Sequence, residues 1–134
     1  MLLAKGAAID GPIAVAWDGR AQSARAARAA LPLLQAAPGV LIVRNTDDAT
    51  SESEASAPER LRTYLAQHGV ADVALRAVRG DRVADSLLKA AQADGCGVLV
   101  AGAFGRPRLF EMALGGTTRA LVKAEGGPNI MLAH

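Results

Sequence analysis

Val98-Leu99-Val100-Ala101-Gly102, then Ala103-Phe104-Gly105 and, after nine intervening residues, Gly115-Gly116-Thr117-Thr118, is the stretch on which the fold turns. Its first four residues are apolar without alternation, as expected of a parallel strand covered on both faces. Gly102 ends that run, and Thr117 to Lys123 reads as a short helix behind the paired glycines. Glycines let backbone approach an anion closely, and a helix N-terminus adds free N–H groups and a favourable dipole. Thr117 and Thr118 contribute hydroxyl donors. A strand, a glycine segment and a helix in this order make an anion site, most naturally for a phosphate.

Three more runs share the continuous apolar character: Ile13-Ala14-Val15-Ala16-Trp17, Val40-Leu41-Ile42-Val43 and Ile130-Met131-Leu132-Ala133. A fifth, Val73 to Val78, alternates in part and is interrupted by Arg76, which predicts an edge strand with one face partly open. Helical periodicity fills the gaps. Between Arg20 and Ala36, Ala24, Ala27, Leu31 and Leu34 share one stripe, while Gln22, Arg25 and Arg28 share the opposite one. Pro32 continues the polar stripe, so the bond it breaks should face water. Ser56-Ala57-Pro58-Glu59 reads as a capping box with proline in the first turn. Leu61, Tyr64 and Leu65 then face inward until His68-Gly69 ends the helix. Asp81 can cap a third helix, whose Ala84, Leu87, Leu88 and Ala91 are its buried stripe.

The resulting order, β-α-β-α-β-α-β-α-β, is that of one doubly wound α/β domain with a parallel sheet. In such sheets ligands bind beyond the carboxyl ends of the strands, where the strand order reverses. If the first strand is central and the fourth flanks it, Asp18-Gly19 and Gly102 share that crevice. Thr46 to Ser56, rich in Asp, Ser, Thr and Glu, is a low-complexity loop that carries no recognisable chemistry.

Composition excludes several functions. Of 134 residues 51% are hydrophobic, enough for a full core, and only 3% are aromatic. The net charge is +2, with arginines scattered rather than gathered in a stripe interleaved with aromatics, so nucleic acid is not an expected partner. No apolar run approaches the roughly 18 residues of a membrane span. Met1 to Gly6 turns polar too early for a signal peptide, and a cytoplasmic protein is expected. Cys96, the single cysteine, cannot form an intrachain disulfide and reads better as a small buried hydrophobe than as a redox group. His68 is better explained by the helix dipole than by catalysis. There is no Walker lysine in the glycine segment, no G-x-S-x-G elbow and no His/Cys cluster at metal spacing.

Gly102-x2-Gly105-x9-Gly115 resembles the glycine spacing with which ATP-binding universal stress proteins hold phosphates. Val15-Ala16-Trp17-Asp18-Gly19 looks like that family's first strand and turn, and Leu99-Val100-Ala101-Gly102 like its fourth strand. Pro58-Glu59-Arg60-Leu61 and Val83-Ala84-Asp85-Ser86-Leu87 look like its second and third helices. The resemblance covers nearly the whole chain. It implies a five-stranded parallel sheet in the order 3-2-1-4-5, with two helices on each face. It also implies a regulatory or stress-response protein holding ATP or AMP, with Mg or Mn through the phosphates and little or no turnover. Gly102, Gly105 and Gly115 would hold the phosphates, with Ala101, Arg106, Gly116 and Thr117 beside them. Ala16, Trp17 and Asp18 would lie near the nucleoside or its metal, and Val43 near the base.

Two positions depart from the family pattern. Gly116 stands where nucleotide-binding members carry Ser or Thr, and Trp17 where many carry a smaller residue. Plainer readings stay open beside the functional ones. Gly115-Gly116 also suits a loop that starts a helix, Asp18 a turn that bonds its own backbone, and Arg106 and Arg108 a solvated loop. The alternative function is an interaction module without nucleotide, acting through dimerisation. The resemblance implies a homodimer through the last strand, whose apolar faces would otherwise sit at an open edge. Residues 1–11 read as an extension or connector before a domain at 12–134, similar to the linker between halves of the family's tandem proteins.

Overall fold

The continuous apolar runs become strands, and the alternation of side chains along them separates two cores. A computed structural model describes residues 2–47, 57–102 and 116–133. Its strands are β1 (Leu2–Leu3), β2 (Ile13–Ala16), β3 (Val40–Asn45), β4 (Val73–Val78), β5 (Val98–Gly102) and β6 (Asn129–Ala133). The helices are α1 (Ala21–Ala29), α2 (Leu31–Ala36), α3 (Pro58–Gln67), α4 (Val83–Ala93) and α5 (Gly116–Lys123). Ile13, Val15 and Trp17 of the first run, with Ile42 and Val100, face one core together with Ala26, Ala27, Leu34, Leu61 and Leu65. Ala14, Leu41, Val43, Leu99 and Ala101 face the other, against Leu87, Leu88, Ala91 and Leu121. With β2 to β6 buried on both faces except at β4, hydrophobic burial, not propensity, sets these elements.

The sheet has six strands in the order β1-β6-β5-β2-β3-β4, not the five expected. Without β1 the remaining five are parallel and run β4-β3-β2-β5-β6, with β2 central and β5 flanking it. β4 is the far edge, and Arg76 on it pairs with Asp94 at the end of α4 (2.7 Å). There are five helices among the described residues where four were expected. The stretch Arg20–Ala36 breaks into α1 and α2 at Ala30, because Pro32 has no N–H to return to the Arg28 carbonyl. The Ala30 amide closes α1 on the Ala26 carbonyl (2.9 Å), and the Leu34 amide restarts the ladder on the Ala30 carbonyl (3.0 Å). Caps also differ. The N-cap of α3 is Ala57 with Pro58 in the first turn, Ser56 lies outside the described residues, and the N-cap of α4 is Arg82, not Asp81, with no side-chain cap hydrogen bond.

The expectation that the last strand is an open edge is corrected by β1. Leu2 pairs with Met131 and Leu3 with Ile130, antiparallel, so a strand ahead of β2 lies outside β6. Asn129, only 2% exposed, anchors this segment. Its Oδ1 accepts from the Lys5 amide (2.6 Å), and its Nδ2 donates to the carbonyls of Ala7 (2.9 Å) and Gly97 (3.1 Å). The Lys5 ammonium donates to the carbonyls of Leu121 (2.7 Å) and Ala124 (2.6 Å), where the end of α5 leaves them without helical partners. A second copy can pair with β6 at these positions only by displacing β1.

Candidate functional site

The crevice forms where the carboxyl ends of β2 and β5 lie side by side and their connections leave in opposite directions, β2 toward β3 and β5 toward β6. This brings Ala16, Trp17 and Asp18 next to Ala101 and Gly102, with Val43 at the end of β3 on the other side of β2. Gly116 and Thr117 open α5, and the next residue ties that helix to the crevice: the Thr118 hydroxyl points to the Gly102 carbonyl at 3.5 Å. Gly105, Arg106, Arg108 and Gly115 lie outside the described residues.

Gly102 has a steric reason to be glycine. A Cβ there would come within 2.7 Å of the Gln22 carbonyl carbon and 2.9 Å of its oxygen, so α1 crosses the end of β5 at backbone contact. Helices from both faces of the sheet thus converge on one residue. Asp18 organises the turn into α1, its Oδ1 accepting from the Arg20 amide (2.8 Å) and the Ser23 hydroxyl (2.8 Å). This is the turn chemistry one of the two sequence readings assigned to it. The Val43 side chain is fully buried in the core toward α4, while its carbonyl accepts from the Trp17 amide (2.9 Å), so only main chain of Val43 can face a ligand. Trp17 turns its ring into the opposite core and is 8% exposed.

Gly116 is different. Its φ is not positive, and no described residue lies within 4 Å of a Cβ built on it. Serine fits there without strain and would add a hydroxyl to the helix opening. A hydrogen bond to a charged group contributes about 1.5–3 kcal/mol, so Gly116→Ser should tighten adenine-nucleotide binding by about tenfold or more. Titration calorimetry of the variant against the parent checks this, with Thr117→Ala in both backgrounds showing whether Thr117 already supplies the donor. An unchanged affinity in all of them would place the phosphates elsewhere.

Sequence reasoning missed the polar clamp on the other wall. Asn45, 5% exposed, donates to the Gly80 carbonyl (3.0 Å) and the Ser86 hydroxyl (2.8 Å) and accepts from the Asp47 amide (2.8 Å). It locks the end of β3 to the turn before α4; its only signal was a polar residue closing an apolar strand. Burial, then the nearby Asp94 carboxylate, pushes the Cys96 thiol up to about 11, so almost none of it is thiolate at neutral pH. The His68 ring stacks on Tyr64 at 4.3 Å and its Nδ1 lies 2.9 Å from the Tyr64 carbonyl, at the C-terminal end of α3. Among the described residues no three His, Cys, Asp or Glu are gathered to hold a metal, and no helix is long and apolar enough to cross a membrane.

A doubly wound α/β domain with its ligand crevice at the reversal of strand order is the class these features define. The chain belongs to the universal stress protein family, which it matches over residues 11–124. Solved structures agree on the fold. The universal stress protein UspA from Lactobacillus plantarum is 18% identical, with a TM-score of 0.72, over 95% of this chain and 99% of that one. A universal stress protein from Archaeoglobus fulgidus is 20% identical, with a TM-score of 0.70, over 91% and 97%. A universal stress protein solved in complex with cAMP is 18% identical, with a TM-score of 0.64, over 95% and 98%. No curated protein sequence matches the chain.

Proposed function

We propose that this chain is a regulatory or stress-response protein that holds an adenine nucleotide, ATP or AMP, in the crevice between β2 and β5. The observation that carries the reading is the placement of the α5 opening at the end of β5, fixed by the contact between Thr118 and the Gly102 carbonyl. Free N–H groups and the positive end of the dipole then lie where a doubly wound sheet takes its ligand. Gly102, Gly105, Gly115 and Gly116, with Thr117, serve the phosphates, and Arg106 can pair with them. Ala16, Trp17, Asp18 and Ala101 border the nucleoside, and main chain of Val43 the base. A Mg or Mn ion comes with the phosphates and neutralises their charge. The relative solved with cAMP supports an adenine nucleotide as the ligand class. The competing reading, an interaction module dimerising through the last strand, is weakened by β1, which occupies that edge.

Calorimetry with ATP and Mg is the test. The protein as purified should bind with a magnesium-dependent component, and Gly105→Asp should abolish binding by setting a carboxylate and a side chain against the phosphates. No heat and no thermal shift at millimolar ATP would refute the proposal.

A further inference from the structure

We infer that an open cavity between α1 and α3, which shares only Trp17 with the residues assigned to the crevice, is a binding site for a small planar aromatic acid. The cavity measures about 380 Å³ and is lined by Trp17, Leu61 and Tyr64 together with Arg25, Arg28 and Arg60. That volume is at the lower end of the range of small-molecule sites, about 300–1,000 Å³. The nature of its walls selects the ligand. Trp17 and Leu61 are core residues, held by the packing of α1 and α3 on the sheet, so the apolar wall is rigid. Tyr64 also contacts the His68 ring, with 4.3 Å between ring centroids. Two aromatic side chains favour a flat unsaturated ring.

The arginines supply the second half. Arg25 and Arg28 sit three residues apart on α1, where like charges repel on one helix face. Arg60 adds a third positive charge from α3. The ion pairs formed by arginines among the described residues involve Arg76, Arg79 and Arg82, and none of the three cavity arginines is paired with a described carboxylate. A chain with a net charge of only +2 thus gathers three cations around one aromatic concavity. Guanidinium groups bind carboxylates through a planar fork and also stack on aromatic rings, so a ring bearing one carboxylate engages every wall at once. A neutral aromatic engages half of them. An inorganic anion engages the other half.

Trp17 is the only tryptophan, and the cavity therefore contains its own reporter. The test titrates the full chain with 1-naphthoate, following Trp17 fluorescence and confirming stoichiometry by calorimetry, with neutral 1-naphthamide and inorganic phosphate as comparisons. Naphthoate should saturate one site below millimolar concentration, with naphthamide and phosphate each at least tenfold weaker. Arg28→Gln and Arg60→Gln should each weaken naphthoate about tenfold, the loss expected of one charge-assisted hydrogen bond. Arg28→Lys should retain part of the affinity, and Lys89→Gln, on exposed α4 surface, should retain all of it. Equal binding of naphthoate and naphthamide, or indifference to both arginine substitutions, would overturn the inference in favour of apolar adsorption. So would the lack of a saturable Trp17 signal. The Gly105→Asp variant separates this site from the crevice: it should lose ATP and keep naphthoate. Displacement of naphthoate by AMP in that variant would also overturn the inference, because the cavity would then belong to the nucleotide.

Discussion

Gly102→Ala should lower the midpoint of thermal unfolding by about 4–12 °C, the equivalent of about 1–3 kcal/mol for inserting a methyl group into packed backbone. The residue's φ is not positive, so conformational freedom is not what demands glycine there. Space is. The nearest atoms to an added Cβ are the Gln22 carbonyl carbon at 2.7 Å and, at 2.9 Å, the Gln22 Cβ and carbonyl oxygen. A flexible side chain could swing away, but the first turn of α1 cannot move without taking the Asp18 turn with it. On the proposed function, nucleotide affinity should fall in the same variant, since the Gly102 carbonyl that meets Thr118 moves with the strand. Differential scanning calorimetry with and without ATP separates the two effects. An unchanged midpoint would mean that α1 yields easily, and the steric account of Gly102 would be wrong.

Gly97→Ala should have the larger effect. A Cβ at this position would overlap the Ala8 carbonyl oxygen and stand 3.0 Å from the carbonyl carbon behind it. Either the segment preceding β2 lifts away or the turn into β5 shifts. Lifting forfeits the bonds of Asn129 to Lys5 and Ala7, both bonds of the Lys5 ammonium, and the pairing of β1 with β6. Surface groups regain water, so the expected loss is about 2–4 kcal/mol rather than the sum of the bonds. Two readouts follow from geometry. Trypsin should cleave after Lys5 much faster in the variant, because its backbone is no longer pinned at Asn129. The uncovered β6 edge should also produce concentration-dependent self-association in sedimentation beyond that of the parent. A variant as resistant at Lys5 as the parent, and no more prone to associate, would show that the segment accommodates the methyl.

The strands were legible because four apolar runs without alternation, and a fifth that alternates in part, have few uses in 134 residues other than a parallel sheet. The crevice followed from them, since the ends of Ile13–Trp17 and Val98–Gly102 must meet once their strands are neighbours. Leu2-Leu3 was not legible as a strand. Two residues carry no periodicity, and their partner lies at the other end of the chain, fixed by one buried asparagine that no apolar pattern marks. The broken helix was half visible: Pro32 stood out, but its place on the polar stripe suggested a tolerated interior proline rather than a new first turn. Arg25 and Arg28 showed as a polar stripe, yet only the packing of α3 opposite α1 sets that exposed stripe beside Trp17 and Tyr64. For Gly102 the spacing suggested phosphate, and the contact with Gln22 adds a packing reason that no spacing can express.

The seal on β6 also has an order in time. Its two halves are 124 residues apart in sequence where the Lys5 amide meets Asn129. That separation matters little once β2, β5 and β6 are assembled, because only the few residues before β2 then have to fold back. Loop-closure entropy grows slowly with length and is small for so short a return. On a chain emerging from a ribosome, however, Leu2-Leu3 has no partner until the last strand has been made and has joined β5. The seal therefore cannot close before β6 has joined the sheet. Its amides should exchange with solvent by local opening, well before those of the central strands.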